Sequence, residues 1–257
     1  MTLGTTSYTN ANFLRVAKMP DGTPEVYQAV QGEGISTGKP MVIVRLALCT
    51  LKCSFCDSKY THQFEGGNRN FEAYVVKMSI PELGDLIEKT RGNHKNVMLT
   101  GGEPLFQQVT LILLMDYLNN TYGKGWNFEI ETNGTIVPVK PFWKRVGLIT
   151  CSPKLASSGN TEANRDIPEA ITALLKVKKP VWFKFVISNS WAQDLQEIKD
   201  WQDKYRVPNN RIYLMPEGIE PKEVITNGKI VNELAIRHGY LASSRIQVLI
   251  YGNRRAI

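Results

Sequence analysis

Met41-Val-Ile-Val-Arg-Leu-Ala-Leu48 runs straight into Cys49-Thr-Leu-Lys-Cys53-Ser-Phe-Cys56. The first half is apolar at every position but Arg45, the pattern of a strand buried on both faces. The second half puts three thiols on the loop that follows. A short apolar run ending in a polar or glycine-bearing turn recurs outward in both directions. Upstream, Val26–Val30 ends in Gln31-Gly32-Glu33-Gly34. Downstream, Val97–Thr100 ends in Gly101-Gly102-Glu103-Pro104, Asn127–Thr132 in Asn133-Gly134, and Val146–Cys151 in Ser152-Pro153-Lys154. Val181–Ile187, Arg211–Met215 and Ile246–Ile250 complete the predicted strands.

Helices are expected between them. Ser79-Ile-Pro-Glu82 has capping-box form and starts one that runs to about Thr90. Others fit 107–119, 168–177, 190–205 and 222–238. Strand–helix alternation of this kind predicts an α/β fold of parallel βα units. The repeats number about six, which predicts a partial, incomplete TIM-like barrel rather than a closed eightfold one. Turns at the C-terminal strand ends then converge on one rim, where ligands bind. Residues 1–257 are expected to form a single domain, with 1–24 as an N-terminal extension and 57–78 as an irregular insertion turning at Gly66-Gly67.

The 257 residues are 42% hydrophobic and 21% charged, which suits a globular chain and argues against extensive disorder. The excess of 31 Lys and Arg over 24 Asp and Glu is small and scattered, so it does not decide among phosphates, acidic metabolites and nucleic acid; no direct nucleic-acid partner is expected. The longest apolar run is Met41 to Leu48, far short of the roughly 18 residues of a membrane span. Met1 to Lys18 lacks a signal-peptide core. A cytoplasmic protein with reduced thiols is expected, in which clustered cysteines act as ligands or catalysts rather than disulfides.

Cys49, Cys53 and Cys56 can hold three irons of a cubane cluster and leave the fourth iron open. The alternative is that they supply three ligands of a zinc site, with His62 as a fourth. Cys151, the remaining cysteine, lies inside a predicted strand and reads as a small buried hydrophobe. Glycines at 101 and 102 permit close backbone approach to a ligand, and Glu103 offers a carboxylate to an ammonium.

Cys-x3-Cys-x2-Cys with Phe55 before the last cysteine resembles the signature of the radical S-adenosylmethionine (SAM) superfamily. The resemblance implies a [4Fe–4S] cluster whose open iron chelates SAM and cleaves it to an adenosyl radical. It implies that Thr100, Gly101, Gly102 and Glu103 bind SAM, helped by Thr132, Asn133, Ser152, Lys154 and Met215. Phe55 is expected against the adenine and Asp57 behind the site.

Tyr27 to Tyr60, with Gln31-Gly-Glu-Gly34 and Cys56-Asp-Ser58, is similar to the 7-carboxy-7-deazaguanine synthase family. So are Ser152-Pro-Lys154 and Leu249 to Arg255. This implies ring contraction of 6-carboxy-5,6,7,8-tetrahydropterin with loss of ammonia, in 7-deazaguanine (queuosine-type) biosynthesis. Gln31, Gly32 and Glu33 would hold the pterin. Arg45 would hold its carboxylate; the alternative for Arg45 is an ion pair with Glu33. Ser58, where members usually have Thr, would ligate Mg2+. Gln247, where many have His, and Ile257 at the tail would border the substrate. A homodimer and an electron donor such as flavodoxin or ferredoxin are implied as partners. Competing expectations are a glycyl-radical-activase-like enzyme of the same superfamily and a zinc or nucleic-acid-binding module.

Overall fold

The computed structural model describes residues 12–64 and 70–257; the turn expected at Gly66-Gly67 lies outside them. In chain order the elements are β1 (Phe13–Ala17), β2 (Val26–Val30), β3 (Pro40–Leu46), α1 (Phe71–Tyr74), β4 (Val75–Ser79), α2 (Ile80–Thr90), β5 (Asn96–Gly101) and α3 (Gln108–Thr121). There follow β6 (Asn127–Thr132), α4 (Lys140–Trp143), β7 (Val146–Cys151), α5 (Glu162–Arg165), α6 (Pro168–Leu175), β8 (Val181–Ile187) and α7 (Trp191–Tyr205). β9 (Ile212–Pro216), α8 (Pro221–His238), β10 (Leu241–Ala242) and α9 (Ile246–Tyr251) complete the order.

The strands form one sheet in the order β10-β9-β8-β7-β6-β5-β3-β1-β4, with β2 paired on β3. From β3 through β10 every pairing is parallel. This is the expected set of about six parallel units, plus the two-residue β10. β1, β2 and β4 add an antiparallel flank.

The pleat of β3 explains how the sheet serves two environments. Val42, Val44 and Leu46 join the large core beneath the helices. Met41 and Ile43 point the other way and pack with Met98. Arg45 falls on that second face by alternation, which carries a cation to the side of the sheet that lines a cavity. Helix α2 begins as its sequence predicts: Ser79 Oγ accepts from Glu82 N, and Glu82 reaches back to Ser79 N at 2.7 Å.

Three stretches differ from expectation. Ile246–Ile250 is helical, within α9, instead of a strand. Its apolar run has no period that separates strand from helix. The outer edge of β9 is taken by Leu241–Ala242, leaving Ile246–Ile250 without a strand to pair with. Residues 13–17, within the supposed extension, and 75–79, within the supposed irregular insertion, pair with each other over five residues. That pairing bridges about sixty residues, and neither five-residue run signals it alone.

Candidate active site

The C-terminal ends of the parallel strands open onto one cavity. The cysteine loop forms one wall of it. Leu48 adopts a left-handed backbone (φ 75), turning the chain out of β3 just before Cys49. Thr61 accepts from Leu48 N at 2.8 Å, and Leu48 O accepts from Glu103 N at 2.7 Å. A Cβ on Gly101 would lie 2.1 Å from Leu46 O, and one on Gly102 2.0 Å from Leu48 O. The two glycines therefore let the end of β5 pass directly beneath the entry to the loop.

Cys49, Cys53 and Cys56 all line the cavity. Each sulfur has a polar neighbour: Asn133 Nδ2 donates to Cys49 at 3.6 Å, Asn160 Nδ2 to Cys53 at 3.3 Å, and Ser58 Oγ lies 3.7 Å from Cys56. Burial pushes the Cys49 thiol up to about 11. Its conversion to thiolate therefore calls for positive charge, such as bound iron provides. A loop of three thiols, each beside a polar group, fits an iron–sulfur cluster, with the cluster's remaining iron left to a non-protein ligand. His62 borders the same cavity with Nδ1 3.0 Å from Thr61 Oγ1. Cys151 is fully buried in the core, as its sequence context predicts.

A charge network centred on buried Lys184 lines the same cavity. Lys184, 3% exposed, puts Nζ 2.5 Å from Glu33 Oε2 and 2.9 Å from Glu131 Oε1. Arg245 Nε and Gln247 Nε2 donate to Glu33 Oε1 at 3.1 and 2.7 Å, and Arg245 Nη2 pairs with Asp57. Burial alone raises the Glu33 carboxyl, but Lys184 and Arg245 outweigh it and hold it well below the usual range. A second network holds Arg45, whose Nε pairs with Glu25 at 3.0 Å and whose Nη2 donates to Tyr27 at 3.2 Å. Glu25 also accepts from Tyr60 and Arg255, and Arg255 stacks 3.5 Å over Tyr60. The chain end is thereby tied near the cavity that Ile257 lines.

Of the site residues named from the sequence, all but Glu103 line this cavity. Glu103 is a correction. It is fully buried, and its carboxylate accepts from Leu105 N (2.9 Å), Thr132 Oγ1 (2.8 Å) and Asn133 N (2.7 Å). It positions the β6 turn instead of facing an ammonium in the cavity. Arg45 pairs with Glu25, not with Glu33 as its alternative had it. Gln247 reaches the site from a helix. Sequence reading passed over Lys184, Arg245 and Asn160 and did not select the Glu131 side chain. Lys184 carries a usable signal, since it is the one charge in the apolar strand Val-Trp-Phe-Lys-Phe-Val-Ile, just as Arg45 is in its own.

The radical SAM superfamily profile matches residues 43–146. The 7-carboxy-7-deazaguanine synthase of Pyrobaculum aerophilum is 30% identical over 232 residues, covering 90% of this chain and 95% of that protein. The enzyme of the same name from Rhodopirellula baltica is 31% identical, covering 90% and 86%. The crystal structure of QueE from Escherichia coli has the same fold, with TM-score 0.66, 21% identity, and coverage of 95% and 98%. At these identities and coverages, on a cavity lined by Cys49, Cys53 and Cys56, the chain belongs to the 7-carboxy-7-deazaguanine synthase family of radical SAM enzymes.

Proposed function

We propose that the chain converts 6-carboxy-5,6,7,8-tetrahydropterin into 7-carboxy-7-deazaguanine with loss of ammonia, the product in its relatives' name. The observation that carries this reading is one of place: the three thiols and Gln31, Glu33 and Arg45 line one cavity. A pterin held by the second set lies beside whatever the first set holds.

The [4Fe–4S] cluster and SAM supply, when bound, one-electron removal of a hydrogen atom from the substrate and its later return. The chain's residues hold the reactants. Glu33 is kept ionised, with three donors on about four acceptor positions, so Oε2 has room for one substrate N–H. Gln31 and the backbone at Gly32 complete the pterin edge. Arg45, anchored through Nε and Nη2, offers its remaining edge to the substrate carboxylate. Thr100, Gly101, Gly102, Thr132, Asn133, Ser152, Lys154 and Met215 hold SAM, with Phe55 on the adenine and Asp57 behind it. Ser58, buried beside Cys56, gives Mg2+ an oxygen ligand. Gln247 and Ile257 border the substrate. We assign the chain to a single domain acting as a homodimer in the cytoplasm, supplied by a low-potential electron donor such as flavodoxin or ferredoxin.

The test is anaerobic incubation of reconstituted, reduced protein with SAM, Mg2+ and the carboxypterin. Formation of the deazaguanine acid without net loss of SAM is expected. Glu33→Ala and Arg45→Ala should each lose turnover by more than about tenfold and keep the cluster. SAM cleavage with no ring-contracted product would sink the reading in favour of an activase, and colourless zinc-bound protein would sink both.

A further inference from the structure

The loop after β7 is laid directly on the cysteine loop. Ser158 O accepts from Ser54 N at 2.9 Å, and Ser157 O from Ser54 Oγ at 3.4 Å. Gly159 takes a left-handed turn (φ 77) and delivers Asn160 to the cluster ligands. The Asn160 side chain then spans two adjacent residues of the cysteine loop. Its Oδ1 accepts from Lys52 N at 3.0 Å, and its Nδ2 donates to Cys53 Sγ at 3.3 Å.

The orientation of that carboxamide is determined by chemistry. A backbone N–H can only donate, so the oxygen must face Lys52 and the NH2 must face the sulfur. The second amide hydrogen is accounted for by Ser158 Oγ at 3.1 Å. Cys53 is buried, 7% exposed, where a dipole aimed at a sulfur acts with little screening by water. Hydrogen bonds to ligand sulfurs are among the levers that set the potential of an iron–sulfur cluster.

We propose that Asn160 is a positioning residue that sets the reduction potential of the cluster through Cys53. Reduction adds one electron, taken from an external low-potential donor, to the cluster and makes or breaks no bond to the protein. The added charge is shared with the thiolate sulfurs, so a donor on Cys53 favours the reduced state and raises the potential. Asn160 combines this with holding the backbone at Lys52, and its variants separate the two roles. Asn160→Asp keeps an oxygen for Lys52 N and replaces the donor with an anion. Asn160→Leu removes both contacts. Ser54→Ala loosens the same loop–loop contact without touching a sulfur.

The experiment is a redox titration of the reconstituted full chain with titanium(III) citrate, followed by electron paramagnetic resonance of the reduced cluster. At the wild-type midpoint, the ratio of reduced to oxidised cluster should fall about tenfold in Asn160→Leu, equivalent to about 59 mV for a one-electron couple. Asn160→Asp should fall at least as far, and Ser54→Ala should match wild type. Wild-type potentials in both Asn160 variants would overturn the proposal. So would an equal shift in Ser54→Ala, which would make loop looseness the cause. If Asn160→Leu fails to hold iron, Asn160→Asp decides. Loss of the cluster there too would assign Asn160 to loop assembly alone and overturn its effect on potential. The titration requires neither the pterin nor turnover, so its outcome is separate from that of the proposed reaction.

Discussion

Two glutamates at the site are pushed in opposite directions. Glu33 has cations on both oxygens and stays ionised. Glu103 is hydrogen-bonded only by neutral donors, so burial prevails and raises its carboxyl to about 7, against the hydrogen bonds from Asn133, Leu105 and Thr132 and the weaker pull of the Lys154 cation. The folded chain thus holds the Glu103 proton more tightly than the unfolded chain does. Its contribution to stability is full below about pH 4.5 and is lost as pH rises through about 7. Urea denaturation of iron-free protein should show wild type losing on the order of 3 kcal/mol relative to Glu103→Gln between those limits. A pH-independent difference between the two proteins would contradict this account. The site role of Glu103 was not legible in its motif. Gly-Gly-Glu-Pro is compatible with a carboxylate pointing into the cavity or beneath it, and only the donors around it select the direction.

At the scale of elements, the cysteine loop is held from beneath by the end of β5 and from the side by the loop after β7. Gly102 and Gly228 make the first contact testable. A Cβ at Gly102 would meet Leu48 O at 2.0 Å, whereas one at Gly228, within α8, meets nothing within 4 Å. Gly102→Ala should cost about 1–3 kcal/mol by overpacking and reduce iron and sulfide bound on reconstitution, because the displaced backbone leads into Cys49. Gly228→Ala should gain about 0.5–1 kcal/mol from helix propensity and leave iron content unchanged. Denaturation midpoints and iron analysis check both. Most elements were legible because their apolar period and caps are local, as in α2 with its Ser79–Glu82 box. The helix α9 and the β1–β4 pair were not. A short apolar run takes whichever form leaves its backbone groups paired, and that depends on neighbours far along the chain.

Across the whole molecule, Lys184 joins Glu33, 151 positions away, to Glu131, 53 positions away. Replacing it with Met would leave two partly exposed carboxylates, Glu33 at 12% and Glu131 at 24%, without their shared cation. A loss of about 1–3 kcal/mol in urea denaturation is expected, because solvent and Arg245 partly compensate the carboxylates, with part restored by adding Glu131→Gln. No recovery in the double variant would argue against charge as the cause. The sequence by itself determined the parallel βα architecture, the three-thiol loop and the turns that meet at one rim. These follow from local periodicity and from residue spacings that no tertiary context alters. Only the tertiary structure decided which side chains face the cavity and which serve as its supports: Glu103 turned inward, Arg45 paired with Glu25, and Lys184, Arg245 and Asn160 brought to the site. The reason is physical: a buried charge or amide must find its partner through space, and the chain supplies that partner from strands and loops remote in sequence.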